Sequence, residues 1–285
     1  MRLKRWKLSK KSVSYFSPAK INLFLKVVGR FPDGYHEIET LMQTISLFDE
    51  VTFSISKSDT LRCDCSQIPT NRSNLIWKAV DAFREETKVH TPLDINLKKR
   101  IPHEAGLGGG SGNAATTLWA LNQLFNTDLS VESLKLIGAK IGSDVPFFFS
   151  SGRAYCKGRG DQFVDVPLFS KDEFWVVKPP ISISTQSIYN QFNIQNDFSK
   201  ECTDDVLGRL QAGSHCYFND LEKPAFRLHP ALMELKTEFS RDSLSDTCMT
   251  GSGSAFFTHI EPEITESHLK FKVQSIVRNQ YHWYV

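Results

Sequence analysis

The chain has 285 residues, of which 40% are hydrophobic and 23% charged, so it is long enough to bury the core of one large or two modest domains. Its 34 lysines and arginines and 32 acidic residues give a formal net charge of +2, which gives no support to a role in binding nucleic acid. No run approaches the roughly 18 apolar residues of a membrane span, so we expect neither a nucleic-acid partner nor a membrane partner.

The first eleven residues are basic and contain no acid. Their cationic side chains are Arg2, Lys4, Arg5, Lys7, Lys10 and Lys11. No apolar stretch follows, so this segment is not a secretory signal. We interpret residues 1–14 as a flexible basic arm of a cytoplasmic protein, although a short organelle transit peptide has a similar composition.

Residues 15–28 alternate between apolar and other side chains, a pattern that predicts a strand, a turn and a second strand. The apolar positions of one face are Ile21, Leu23, Leu25 and Val27. Lys20 and Asn22 then project together from the opposite face. From this segment alone, a solvated lysine and a polar strand-edge asparagine explain them equally well.

A turn-rich loop follows and ends in Tyr35 and His36. A planar ring such as a nucleobase could stack on Tyr35, and His36 could hydrogen-bond to the edge of that ring. A histidine in such a loop is otherwise an ordinary surface residue.

The glycine-rich stretch 105–113 lies between an alternating strand pattern ending at Leu97 and a helical pattern beginning at Ala114. Consecutive backbone N–H groups at a helix N-terminus form a cradle for phosphate. We expect Ser111 or Asn113 to cap the helix, and the Ser111 hydroxyl to reach a phosphate or Mg²⁺. A flexible glycine linker is the alternative.

The same stretch excludes several familiar nucleotide sites. It lacks the lysine of a Walker A loop, and no starting glycine satisfies G-x-G-x-x-G. These absences disfavour a P-loop ATPase, a dinucleotide-binding dehydrogenase and a protein kinase.

Asp144 stands before Val145 and Pro146, at the start of an apolar run. A carboxylate between apolar walls and near a lysine is suited to general base catalysis. A turn in which Asp144 only hydrogen-bonds to the backbone before the proline is an equally good interpretation of this segment. Further along, the Lys178-Pro179-Pro180 stretch predicts a crossover between domains, and residues 250–254 predict a tight turn.

Taken together, three segments resemble the signature of the GHMP kinase superfamily. They are Pro-Ala-Lys-x-Asn-Leu at 18–23, Gly-Leu-Gly-Gly-Gly-Ser at 106–111 and Thr-Gly-Ser-Gly-Ser at 250–254. Residues 33–36 and 142–147 further resemble the branch that phosphorylates a cytidine diphosphate derivative of methylerythritol, on the non-mevalonate route to isoprenoid precursors. The resemblance covers the chain from about residue 15, and its motifs are specific only in combination.

The resemblance implies an α+β, two-domain GHMP kinase fold. Residues 15–165 would form an ATP-binding domain like the second domain of ribosomal protein S5, and residues 166–285 a ferredoxin-like domain, with the site in the cleft between them. It further implies ATP and Mg²⁺ as cofactors, a small-molecule substrate containing cytidine diphosphate, and a monomer or weak homodimer.

The resemblance also implies the roles of individual residues. Asp144 would accept the proton of the substrate hydroxyl, and Lys20 would hold Asp144 and stabilise negative charge. The expected ATP-binding residues are Asn74, Pro102, His103, Glu104, Ala105, Gly106, Leu107, Gly108, Gly109, Gly110, Ser111, Gly112 and Asn113, with Ser111 also a metal ligand. The expected substrate-binding residues are Asn22, Tyr35, His36, Tyr189 and Arg159.

Two further interpretations stay open at this point. A kinase of the same superfamily could act on a different small alcohol, and a regulator could retain nucleotide binding after losing catalysis. Lys20 and Asp144 are both present, which favours an enzyme. Gly112 departs from the pattern, because many relatives carry a second serine there.

Overall fold

The structure is a computed structural model that describes residues 11–167, 172–240, 247–263, 265–279 and 281–284. The first half contains β1 (Ser12–Arg30), β2 (His36–Ile55), β3 (Thr60–Cys63), α1 (Leu75–Thr87), β4 (Leu93–Lys98), α2 (Gly109–Phe125), α3 (Val131–Ala139), a 3-10 turn (Pro146–Phe149), β5 (Arg153–Lys157) and β6 (Gln162–Asp165). The second half contains β7 (Glu173–Lys178), α4 (Thr185–Gln191), α5 (Thr203–Gln211), β8 (Phe218–Asn219), α6 (Glu222–Leu228), α7 (Ala231–Phe239), β9 (Thr247–Met249), β10 (Phe256–Thr258) and β11 (Leu269–Gln274).

The strands form two sheets. The seven-stranded sheet has the order β3-β4-β2-β1-β8, with β5 and β6 added beside β2, and the four-stranded sheet has the order β11-β7-β10-β9. The short strand β8 comes from the second half of the chain but pairs in parallel with β1. The two halves are therefore joined by backbone hydrogen bonding as well as by side-chain packing.

The first strand is longer and more buried than its sequence pattern indicates. It runs without a turn from Ser12 to Arg30, because almost all of it pairs with β2. Residues 12–14, which the sequence assigns to the basic arm, are paired members of this strand, whereas residues 1–10 lie outside the described residues.

The strict alternation predicted for β1 is broken by an irregularity in its pairing between Asn22 and Phe24. An extra residue in one strand reverses which face the following side chains point to. Leu25 consequently lines the same cavity as Lys20 and Asn22, although alternation places it on the opposite face. Lys20 and Asn22 do project together, as expected.

Helix α2 is the central helix of the first half. Small and apolar residues such as Ala114, Leu118 and Leu121 are buried on every side of it, which is typical of a helix enclosed by other elements. It packs against β1 and against α1, whose Asn74 accepts a hydrogen bond from the backbone N–H of Ile76. Asn74 is therefore the N-cap of α1.

No helix in the described ranges combines the length and apolar character needed to cross a membrane.

Asp59 fastens the end of α1 to the start of β4. Its two oxygens accept a bidentate pair of hydrogen bonds from Arg84, at 2.7 and 2.8 Å, and the backbone N–H of Leu93 also donates to it. The Arg84 hydrogen bonds are the main reason that the pKa of Asp59 is lowered to about 2.

Replacing this carboxylate should destabilise the fold in a pH-dependent way. Because the pKa of Asp59 is lower in the folded chain than the roughly 3.9 of an unfolded one, its contribution is complete above that value and is lost as pH falls towards 2. We expect Asp59→Asn to lower the free energy of unfolding by about 2 kcal/mol at pH 7, and the difference from wild type to shrink between pH 4 and pH 2. Urea denaturation at several pH values measures this. Asp81→Asn, which removes a more exposed partner of Arg72, is the control, and a difference that does not depend on pH would contradict the assignment.

Candidate active site

A cavity of about 590 Å³ lies where the first sheet meets the turns of the second half. Its walls come from β1, the glycine-rich loop, the segment before the 3-10 turn, and two segments of the second half. The lining residues that the sequence singles out are Lys20, Asn22, Pro102, His103, Glu104, Ala105, Gly106, Leu107, Gly108, Gly109, Ser111, Asp144, Arg159 and Tyr189. The described structure thus brings most of the predicted site residues to one cavity.

Lys20 and Asp144 form an ion pair at this cavity. The Lys20 Nζ lies 3.5 Å from Asp144 Oδ2, and the lysine side chain is 4% exposed whereas that of the aspartate is 31% exposed. The cation is therefore held in the protein while the carboxylate faces the cavity. A carboxylate in this arrangement is accessible to a ligand and has its charge balanced from behind.

Asn22 fixes the position of the lysine. Its Oδ1 accepts a hydrogen bond of 2.6 Å from Lys20 Nζ, and its Nδ2 donates one of 2.8 Å to Thr40 Oγ1. The Thr40 hydroxyl in turn donates to the Phe24 carbonyl, so it can only accept from Asn22. This chain of donors determines which end of the Asn22 amide faces the lysine.

Two glycine turns pack backbone against backbone beside this pair. Gly106 has φ of +73°, and a Cβ added to it would lie 2.0 Å from the Thr250 carbonyl oxygen. The Thr250 hydroxyl accepts a hydrogen bond of 3.0 Å from the backbone N–H of Asn22 and lies 3.3 Å from the Gly106 carbonyl oxygen. Sequence analysis assigned no role to Thr250, although its position in the third motif was a signal.

Helix α2 begins earlier in the loop than the sequence predicts. Its first residue is Gly109, and its N-cap is Gly108, which has φ of +67° and makes no side-chain cap hydrogen bond. The prediction that Ser111 or Asn113 caps the helix is wrong, because the left-handed turn at Gly108 starts the helix before either residue. The N–H groups at 109–111 precede the first helical hydrogen bond, from Gly112 N–H to the Gly108 carbonyl.

Several predicted ATP-binding residues face away from the cavity. Asn113 is 3% exposed and donates to Ser17 and to Asp49. A side chain at Gly112 would point at the Pro18 carbonyl, so the serine that many relatives carry there would not add a hydroxyl to this cavity.

The residues at the start of α1 also lie outside the cavity lining. Asn74 caps α1 and donates to the Pro69 carbonyl. The Leu75 side chain packs 3.3 Å from where a Cβ on Gly110 would lie. The adenine pocket expected near Asn74 stays a prediction.

Asp49, which no sequence motif indicates, supports the glycine-rich loop from within the core. It is fully buried and accepts hydrogen bonds from Lys99 Nζ at 2.7 Å and from the backbone N–H groups of Arg100 and Ile101 at 2.8 and 2.9 Å, besides the one from Asn113. These donors lie on both sides of the glycine-rich loop. Asp49 therefore holds the entrance of the loop and the first turns of α2 in a fixed relation.

The predicted base-recognition residues lie in two separate groups of contacts. The His36 ring centroid lies 5.0 Å from that of Tyr189 and 5.6 Å from that of Phe192. Burial, followed by the positive charge of Arg30, lowers the pKa of His36, which favours the neutral ring. Tyr35 instead lies against Arg159. Of the four predicted substrate residues at this end, Tyr189 and Arg159 line the cavity.

Comparison with known proteins relates the chain to one enzyme family. The family described as GHMP kinases N terminal domain matches residues 74–152. A 4-diphosphocytidyl-2-C-methyl-D-erythritol kinase of Protochlamydia amoebophila is 44% identical over 273 residues, which cover 96% of this chain and 93% of that protein. A kinase of the same name from Syntrophus aciditrophicus is 39% identical, with coverage of 87% and 89%.

Solved structures agree with this relationship. A crystal structure of a 4-(cytidine 5'-diphospho)-2C-methyl-D-erythritol kinase superimposes with a TM-score of 0.75 at 31% identity, covering 92% of this chain and 99% of that one. A homoserine kinase from Cytophaga hutchinsonii, with a TM-score of 0.69 over 96% of this chain and 98% of that one, is 14% identical and shares the fold alone.

The close contact between the two glycine turns makes a prediction about stability. Gly106→Ala places a Cβ against the Thr250 carbonyl at a positive φ, so we expect the free energy of unfolding to fall by about 3 kcal/mol. The matched control is Gly208→Ala in α5, where an added Cβ meets nothing within 4 Å and the higher helix propensity of alanine should raise stability slightly. Denaturant unfolding of both variants measures the difference, and equal stabilities would show that the two turns do not pack as described.

Proposed function

Since the chain belongs to the family of 4-diphosphocytidyl-2-C-methyl-D-erythritol kinases within the GHMP kinase superfamily, we propose that it transfers the γ-phosphoryl group of ATP to the 2-hydroxyl of 4-diphosphocytidyl-2-C-methyl-D-erythritol. The observation that carries the proposal is the Lys20–Asp144 ion pair at 3.5 Å. It opens onto the same cavity as the glycine-rich loop and Ser111. An acceptor hydroxyl and a phosphate can therefore meet beside a carboxylate and a buried cation.

In the proposed reaction, the 2-hydroxyl oxygen forms a bond to the γ-phosphorus while the bond from that phosphorus to the β,γ-bridging oxygen breaks. ADP leaves with that bridging oxygen, and Asp144 accepts the hydroxyl proton. Lys20 balances the charge of Asp144 and stabilises the negative charge of the group in transfer. Phosphoryl transfer depends mostly on alignment and charge neutralisation, which Asn22 supports by fixing the lysine.

The donor would lie along residues 102–111. The N–H groups at the start of α2 face a site where the helix dipole favours phosphate. The Ser111 hydroxyl, which lines the cavity, is the protein oxygen that we propose as a ligand of Mg²⁺. Magnesium bound with a nucleotide takes its other ligands from phosphate oxygens and water and neutralises phosphate charge.

The cytidine end would be recognised at Tyr35, His36 and Tyr189. A neutral His36 ring offers one donor and one acceptor, which suits the edge of a pyrimidine. Tyr35 supplies a flat face for stacking. Asn22 would contact the erythritol portion next to the acceptor hydroxyl.

We also propose that residues 15–165 and 166–285 are the two domains of the α+β GHMP kinase fold, related to the second domain of ribosomal protein S5 and to ferredoxin-like domains. The antiparallel order β11-β7-β10-β9 supports the second assignment, because it is the order 4-1-3-2 of a βαββαβ unit. Between β10 and β11 the described residues form no helix, so this would be a reduced version of that unit.

The activity is tested by ADP release from Mg²⁺·ATP with 4-diphosphocytidyl-2-C-methyl-D-erythritol, compared with homoserine, mevalonate and galactose. We expect turnover with the cytidyl substrate alone. Turnover with another alcohol in its place would refute the proposed substrate. Demonstrable ATP binding with no turnover on any of the four would instead favour a nucleotide-binding regulator.

The role of Asp144 makes a separate prediction. Asp144→Asn removes the proton acceptor with little change in shape, so we expect kcat to fall by about a thousandfold while ATP binding is retained. Asp81→Asn, whose carboxylate lies on α1 and is 54% exposed, is the control for a neutralised carboxylate away from the cavity. Single-turnover rates and ATP binding by calorimetry measure the two quantities, and a fall of kcat below about tenfold would remove Asp144 from this role.

A further inference from the structure

The side chain of Arg159 lies on the aromatic face that the proposed function assigns to a pyrimidine. Its guanidinium carbon is 4.4 Å from the Tyr35 ring centroid and 5.4 Å from that of Phe31. It also forms an ion pair with Asp33. A planar cation on a tyrosine face uses the same surface that a nucleobase uses for stacking.

These contacts are exposed and therefore weak. The side chains of Arg159 and Asp33 are 42% and 49% exposed, and Tyr35 is 61% exposed. Ion pairs and cation–π contacts at such positions contribute little free energy. A ligand that stacks on Tyr35 can displace the guanidinium at small cost.

The backbone that carries Arg159 is held in place. The turn between β5 and β6 is closed by a hydrogen bond from Gly160 N–H to the Lys157 carbonyl, and the Gly158 carbonyl accepts one from Ile38 N–H. The Arg159 N–H donates to Asp161 Oδ1 at 3.2 Å. When the guanidinium leaves Tyr35, the Arg159 side chain therefore rotates while its backbone stays in place.

The same turn lies next to the catalytic pair. Arg159 lines the cavity with Lys20 and Asn22, and a Cβ on Gly160 would lie 3.8 Å from Asp144 Oδ1. In the proposed substrate, the diphosphate connects the pyrimidine nucleoside to the acceptor alcohol. A guanidinium that leaves Tyr35 but stays on this turn is within the part of the cavity that such a diphosphate has to cross.

We propose that Arg159 competes with the pyrimidine base for the face of Tyr35 and, once displaced, pairs with the diphosphate of the same substrate. The inference rests on the proposed function and deepens it. The guanidinium fork matches phosphate oxygens in geometry and charge. Arg159 thereby determines specificity. A nucleoside without phosphates must displace the arginine and offers the guanidinium no new partner. A nucleoside diphosphate offers the displaced guanidinium phosphate oxygens with which to pair.

The test compares cytidine with CDP as ligands of wild type and Arg159→Ala, by calorimetry and as competitive inhibitors of turnover. Removing the arginine uncovers Tyr35 for cytidine and deletes a phosphate partner for CDP. We expect the Kd of cytidine to fall about threefold and that of CDP to rise about tenfold. Arg159→Lys keeps the charge without the planar fork, so its CDP affinity should lie between those of wild type and the alanine variant.

The control is Lys157→Ala, which removes an exposed cation from the same turn, 3.9 Å from Glu39, and should change neither Kd. Opposite shifts for the two ligands support the proposal. Equal shifts of both Kd values in the same direction would mean that the base stacks on the guanidinium or that the turn is disturbed. Unchanged Kd values would mean that Arg159 takes no part in binding. Either result overturns the proposal. A wild-type protein that neither binds CDP nor turns over the cytidyl substrate would instead refute the proposed function.

Discussion

The contact between the Gly106 and Thr250 turns is the constraint on which the candidate site depends. Three segments far apart in the chain meet there: β1 through the Asn22 N–H, the glycine-rich loop through the Gly106 carbonyl, and the second half through the Thr250 hydroxyl and carbonyl. A side chain larger than hydrogen at position 106 would separate two backbones that must touch. Next to this contact, the backbone N–H of Lys20 donates to the Leu107 carbonyl. The two interactions together fix the position of Lys20 relative to the loop.

The two members of the Lys20–Asp144 ion pair differ in exposure, since the lysine is buried and the carboxylate faces the cavity. A buried ammonium loses its hydration and is stabilised only by partners at close range. Asn22 and Asp144 provide them, while the more exposed carboxylate keeps access to the cavity. A different carboxylate, Asp49, is fully buried away from the cavity lining and accepts hydrogen bonds from both sides of the glycine-rich loop. The partly exposed Asp144 is thus accessible from the cavity, whereas the buried Asp49 stabilises the loop.

The parts of the fold that the sequence predicted are those governed by local rules. Apolar periodicity located β4 and the helix that follows the glycine-rich loop. Strand alternation predicted that Lys20 and Asn22 project together, whereas the roles proposed for the site residues came from the resemblance to the GHMP kinases. Three features were missed. The pairing irregularity in β1 turns Leu25 towards the cavity, and the left-handed Gly108 starts α2 before Ser111. The hydrogen bonds of Asp49 come from residues that only the folded chain brings together. No local pattern distinguishes a buried acid that organises a loop from an acid at the exposed edge of a strand.

The two-residue strand β8 has a consequence for how the protein folds and moves. Its pairing with β1 inserts a piece of the second half into the sheet of the first, and the Asn219 amide at its end donates to the carbonyls of Met249 and Gly251. Two parts of a chain that share a sheet do not separate without breaking backbone hydrogen bonds, so we expect the two halves to unfold together. For the same reason, we expect the two halves to resist a hinge motion that would separate β8 from β1.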